Sequence, residues 1–135
     1  MKIIDEAVLI ATRRLPSCDF CGKRLKTGFE ACHILTRGRR GEKRIDLPWS
    51  VGAGCPPFAG NGCHRKSHDT GECVETFIAN VAKRNGISSP EVLMEALKFL
   101  AWVPERPLAG TVAKRFAEMS AEVQALTRHY IEEKL

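Results

Sequence analysis

The chain has 135 residues, of which 44% are apolar and 27% charged. That balance excludes a largely disordered polymer and suits one domain or a small module with an extension. Residues 1–69 carry 13 Lys and Arg against 7 Asp and Glu, a surplus of +6, whereas residues 70–135 carry 8 against 9, so the basic half predicts a polyanionic partner such as nucleic acid.

No stretch approaches the roughly 20 apolar residues of a membrane span. Asp5 and Glu6 also stand where a signal peptide would need its apolar core. The expected compartment is the cytoplasm, and in that reducing setting the six cysteines read as metal ligands and buried residues rather than disulfides.

Residues 5–15 read as a short amphipathic helix ended by Pro16, although Val8-Leu9-Ile10 also suits a strand. From Pro16 to Pro57 the chain is rich in Gly, Pro and Cys, which predicts a small hairpin whose core is partly replaced by metal. Cys55 to Gly62 holds two prolines and two glycines in eight residues and must be a loop. A helix is expected from about Cys63, with His64 and His68 at i and i+4 on one face.

Beyond Gly71 the pattern is helical. Glu72 to Arg84 is stopped by Asn85-Gly86, and Val92 to Val103 follows a capping serine and Pro90 and ends ahead of Pro104. Thr111 to Leu135 reads as a third helix, with apolar residues at 112, 116, 119, 123, 126 and 130. Such a stripe either packs on the preceding helices, the commoner outcome, or forms a dimer seam.

Cys18-x2-Cys21 has the spacing of a zinc knuckle, and Cys55 with Cys63 offers a second pair across the hairpin. Four thiolates can close a tetrahedral structural zinc site, which substitutes for a core that about 50 residues hardly build unaided. The seven-residue spacer of the second pair is longer than usual. The alternative is buried free cysteines.

His33 suits a general base, since an imidazole near pKa 6.5 takes a proton from water at neutral pH; a histidine in an apolar strand is as often a satisfied core residue. His64 and His68 could hold a divalent ion and leave positions open for water and a phosphate oxygen, or one of them could complete the structural site. Cys32 is either a third ligand to that ion or a small buried residue. The loop Arg37 to Arg44, with Arg37, Arg39, Arg40, Lys43 and Arg44, is either a solvated charged face, as such runs usually are, or a phosphate grip, which its place between His33 and the histidine pair favours; Arg65 is a further candidate for that grip.

Three segments resemble the HNH endonucleases, the ββα-metal or His-Me finger fold, in the small zinc-stabilised form common in phages and prophages. Glu30-Ala31-Cys32-His33-Ile34-Leu35-Thr36-Arg37-Gly38 is similar to the family's first strand and loop. Leu47 to Cys55 is similar to its central segment, and Cys63-His64-Arg65-Lys66-Ser67-His68 to the start of its metal-binding helix. The match covers about Cys18 to Asp69.

The resemblance implies a zinc-stabilised ββα-metal module at 1–71; with the helical pattern beyond it, read as an extension of three helices at 72–135 that packs on the module or mediates assembly, the expected protein is α+β. It further implies a DNA endonuclease with His33 as base, a catalytic divalent metal (Mg²⁺, Mn²⁺, Ni²⁺ or Zn²⁺) on His64 and His68, and structural zinc on Cys18, Cys21, Cys55 and Cys63. If phage-encoded, the protein would act in the bacterial host cytoplasm.

Two positions depart from the family pattern. Ser50 stands where an asparagine usually orients the hairpin, and Cys32 stands where a metal-binding Asp or His usually precedes the base; a thiolate there would favour a softer ion. The rival expectation is a non-catalytic zinc module that binds nucleic acid or a protein partner, and a homodimer or phage-assembly contact through the last helix is a further one.

Overall fold

The computed structural model describes residues 1–106 and 109–133. In chain order its elements are α1 (Glu6–Arg13), β1 (Glu30–His33), β2 (Val51–Gly54), α2 (Cys63–Thr70), α3 (Val74–Arg84), α4 (Pro90–Trp102), α5 (Ala109–Ala117) and α6 (Ala121–Glu132), with a 3-10 turn at Arg39–Gly41. The protein is α+β, and among the described residues no helix is long and apolar enough to cross a membrane.

Helix boundaries follow local chemistry. Asp5 caps α1 by accepting the Ala7 N–H at 3.0 Å, and Ser89 caps α4 by accepting the Val92 N–H at 3.2 Å, just ahead of Pro90 in the first turn. Both caps satisfy a backbone donor that has no partner inside the helix.

β1 and β2 form an antiparallel hairpin in which Glu30 faces Gly54 and His33 faces Val51. All four residues of β2 are buried: α3 presses on the strand at Gly52, and α1 also contacts it. A Cβ added at Gly52 would lie 2.3 Å from Phe77 Cε2 and 2.8 Å from Asp19 Oδ2, and one at Gly54 would lie 2.6 Å from Cys32 Sγ. Only hydrogen fits at those positions.

Asp19 locks the knuckle to this layer. Its Oδ2 accepts the Ala53 N–H at 2.8 Å, its Oδ1 pairs with Arg84 of α3, and its carbonyl accepts from Asn80 Nδ2 at 2.7 Å. Next to it Phe20 stacks on Phe77 with centroids 4.2 Å apart. One continuous buried cluster then runs from Cys18, Phe20 and Cys55 through Phe77 and Val81 to Leu93, Leu97, Val112 and Ile131.

The expected third helix of the extension is two helices. The chain leaves α5 after Ala117 and restarts at Ala121, where Ser120 accepts the Val123 N–H at 3.3 Å and Gln124 Nε2 donates to the carbonyls of Phe116 and Met119 at 3.1 Å. A serine that can cap, followed by a glutamine that satisfies the freed carbonyls, makes the break favourable.

The apolar stripe therefore folds back on its own chain. Phe116 lies 6.1 Å from Phe99 of α4, Val112 joins the buried cluster, and Val123 and Ile131 are fully buried. Lys134 and Leu135, the end of the expected helix, lie outside the described residues.

Gly52→Ala should destabilise the protein by about 1–3 kcal/mol through overpacking against Phe77 and Val81. Gly110→Ala, whose Cβ meets nothing within 4 Å, should be neutral or stabilising by up to about 1 kcal/mol. Denaturant midpoints of the two variants check this, and equal effects would contradict the close approach of α3 to β2.

Candidate functional site

The sulfur atoms of Cys18, Cys21, Cys55 and Cys63 all lie within 4.8 Å of one another, with Cys21 and Cys55 at 3.7 Å. Four thiolates about 2.3 Å from one zinc would stand about 3.8 Å apart, so the cluster fits a structural metal ion such as zinc. The knuckle is shaped by its backbone: Cys18 N–H donates to the Lys23 carbonyl and Gly22 N–H to the Cys18 carbonyl, both at 2.9 Å, while Phe20 N–H points at Cys18 Sγ. An N–H aimed at sulfur, as that of Phe20 is, favours a thiolate, while the other two hold the turn.

The other two cysteines mark decisive points of the chain. Cys55 directly follows β2, and Cys63 opens α2. The His64 N–H donates to the Cys55 carbonyl at 3.3 Å. Closing the cluster thus fixes the start of α2 against the end of the hairpin.

That closure aims His64 and His68 at a cavity of about 520 Å³, whose wall also includes His33, Glu30, Arg37 and Arg65. His64 Nε2 and His68 Nε2 are 3.1 Å apart, and Glu30 Oε1 stands 3.5 Å from His64 Nδ1. Two nitrogens each about 2.1 Å from one ion would be separated by about 3.0–3.4 Å. The same separation is that of a hydrogen bond between the two rings; with Glu30 engaging Nδ1 of His64, Nε2 is the nitrogen that faces His68 and could serve as a ligand. Burial lowers the pKa of His64 against the opposing pull of Glu30, which favours the neutral ring a metal requires.

His33 is held from behind by Asp46. His33 Nε2 lies 2.7 Å from Asp46 Oδ1, and the same fully buried carboxylate accepts from Arg44 Nε at 2.8 Å, Arg44 NH2 at 2.6 Å and the Asp5 N–H at 3.0 Å. Burial alone would raise the pKa of Asp46, but these donors outweigh it and hold the group at about 2. An ionised carboxylate only accepts hydrogen bonds. His33 therefore carries its proton on Nε2, and Nδ1 is left as the basic nitrogen of a ring that lines the cavity. Burial lowers the pKa of His33 in spite of Asp46.

Ser50 does not line the cavity. It is buried, accepts the Leu47 N–H at 2.8 Å and donates to the Ile45 carbonyl at 2.5 Å, while its own carbonyl accepts the Ile34 N–H at 2.9 Å. Its place is that of a positioning residue, holding the turn that carries Asp46 beside the strand that carries His33.

Cys32 also lies outside the cavity wall. Strand alternation puts it on the face opposite His33, where it is buried against Gly54 and Phe20 and its thiol pKa is pushed up by burial. Among the described residues no third side-chain ligand joins His64 and His68 at metal-binding range.

The basic residues divide. Arg44 is engaged with Asp46 and with Glu6 at 3.0 Å, so it supports the site rather than offering a free guanidinium. Arg37, Arg39, Arg40 and Lys43 are exposed, and Arg37 borders both the cavity and an adjoining basic cleft of about 400 Å³ that includes Lys2 and Arg40. Arg65 is exposed at the cavity edge, 3.7 Å from Asp69.

Asp46 and Glu30 are the site residues that sequence reasoning did not assign. An acid between Ile45 and Leu47 was the available signal, because a carboxylate inside an apolar run is buried and needs partners.

No protein-family model matches the chain, and neither a curated protein nor a solved structure matches it.

A Cys55→Ala/Cys63→Ala double variant should lose the bound metal and destabilise the protein by more than about 5 kcal/mol, since structural zinc contributes on that scale. Metal analysis with thermal unfolding checks it, and unchanged metal content would contradict a four-cysteine site.

Proposed function

We propose that the chain is a metal-dependent nuclease of HNH type, hydrolysing phosphodiester bonds in DNA. One observation carries this reading: a histidine oriented by a buried carboxylate and a pair of histidines 3.1 Å apart line the same cavity, beside exposed arginines. That is the equipment of phosphoryl hydrolysis, which needs a base, a site for a Lewis-acidic ion and a grip on the phosphate.

His33 Nδ1 takes a proton from water, and the resulting hydroxide attacks phosphorus as the bond to the 3′ oxygen breaks. Asp46 keeps the ring oriented and stabilises the imidazolium that forms, as a carboxylate does behind a catalytic histidine. Arg37, Arg39 and Arg40 hold the backbone of the strand by charge-assisted hydrogen bonds. Glu30 orients His64. A divalent ion held by His64 and His68 would supply charge stabilisation at the leaving oxygen.

His33→Ala should reduce nicking of supercoiled plasmid by at least about 10²-fold with zinc content unchanged and a stability loss of about 1–3 kcal/mol from the hydrogen bond that Asp46 loses, and Asp46→Asn should also slow nicking. Wild-type rates in Asp46→Asn would show that the carboxylate is only structural. Failure of wild type to cut with Mg²⁺, Mn²⁺, Ni²⁺ or Zn²⁺ would overturn the enzyme reading in favour of a non-catalytic binder.

The pH profile has a defined sign. Because the pKa of His33 lies below its usual 6.5, the base form dominates at pH 7, and the rate should fall about tenfold per pH unit only below that pKa. Asp46→Asn removes the upward influence and should shift the fall to lower pH. An inflection above pH 7 assigned to His33 would contradict the burial argument.

A further inference from the structure

Phe58 is completely exposed, at 100%, whereas Ile4 and Ile10, also counted among the exposed large apolar side chains, retain partial cover at 56% and 43%. An isolated apolar residue on a surface usually signifies nothing. This one differs in where it stands and how firmly it is held.

Its loop is anchored at both ends by Cys55 and Cys63 of the four-sulfur cluster and stiffened by Pro56 and Pro57. The Ala59 N–H donates back to the Pro56 carbonyl, and Gly60 packs so closely that a Cβ there would lie 2.8 Å from Cys55 Sγ. The backbone that carries the ring is thus a constrained turn. Pro57, one peptide or about 3.8 Å away in Cα position, lines the cavity that holds His33, His64 and His68.

A partner that fits must bring negative charge to Arg65 and Arg37 at the cavity and a flat apolar surface to the ring carried one residue from the cavity wall. Nucleic acid joins both in one molecule, with a base attached to each phosphate. A base inside an intact duplex already stacks on two neighbours, so its faces are open to a phenyl ring only where the strand is single or locally unpaired.

Resting on the nuclease reading above, we propose that Phe58 is a nucleobase-stacking residue, which makes the preferred substrate class DNA with an unpaired base next to the scissile phosphate. The arginines hold the backbone without regard to pairing. The ring adds the discrimination, taking one base face while the adjoining phosphate enters the cavity.

The test is binding without added catalytic ion, using zinc-loaded protein, a short single-stranded DNA and an abasic strand of the same length. Wild type should bind the base-bearing strand about tenfold more tightly, the scale of one stacked base. Phe58→Ala should erase that difference and leave binding to the abasic strand, zinc content and unfolding unchanged. Phe58→Trp should keep the preference, and its added fluorescence should be quenched by the base-bearing strand alone.

Equal binding of both strands by wild type, or an unchanged preference in Phe58→Ala, overturns the stacking role while leaving the nuclease reading standing. Binding of neither strand at low salt removes the nucleic-acid reading and this inference with it.

Discussion

Four sulfurs set the geometry on which every other part of the site depends. The knuckle at Cys18 and Cys21, Cys55 directly after β2 and the first residue of α2, Cys63, meet within 4.8 Å. A hairpin of two four-residue strands is marginal in water by itself. Gathering its end and the start of the next helix around one point removes the conformational freedom that would otherwise separate His64 from His33.

Around that point the protein uses close contact on one side and polar bonding on the other. α3 reaches the hairpin because Gly52 leaves room for Phe77, and Asp19 bonds the knuckle to β2 and to Arg84. On the cavity side a chain of bonds runs from Ser50 through the turn at Asp46 to His33, with Arg44 neutralising the carboxylate. A buried carboxylate is tolerated only when its lone pairs are filled. Here filling them also fixes which nitrogen of His33 is basic.

Much of this was legible in the sequence because it is local. The α2 histidines at i and i+4, the proline-rich loop before them, the cap at Ser89 and the stop at Asn85-Gly86 all depend on neighbours within a few residues. The clustering of Cys55 with Cys63 across a long spacer was readable because the residues between them cannot form a regular ladder.

What was not legible involves partners distant in sequence or a choice between equal patterns. The bond between His33 and Asp46 spans 13 positions and depends on how the basic loop folds back. The stripe from Val112 to Tyr130 keeps helical phase across Ser120, so periodicity alone does not reveal the break between α5 and α6; the capping capacity of Ser120 does. Cys32 directly precedes His33 in β1, so strand alternation places it on the opposite face, a constraint visible in the residue numbers themselves. The measurement that bears most directly on the whole arrangement is X-ray absorption at the zinc edge of the purified protein. The account predicts one tightly held zinc per chain with four sulfur neighbours at about 2.3 Å, and a first shell of nitrogen or oxygen, or no retained metal, would contradict it.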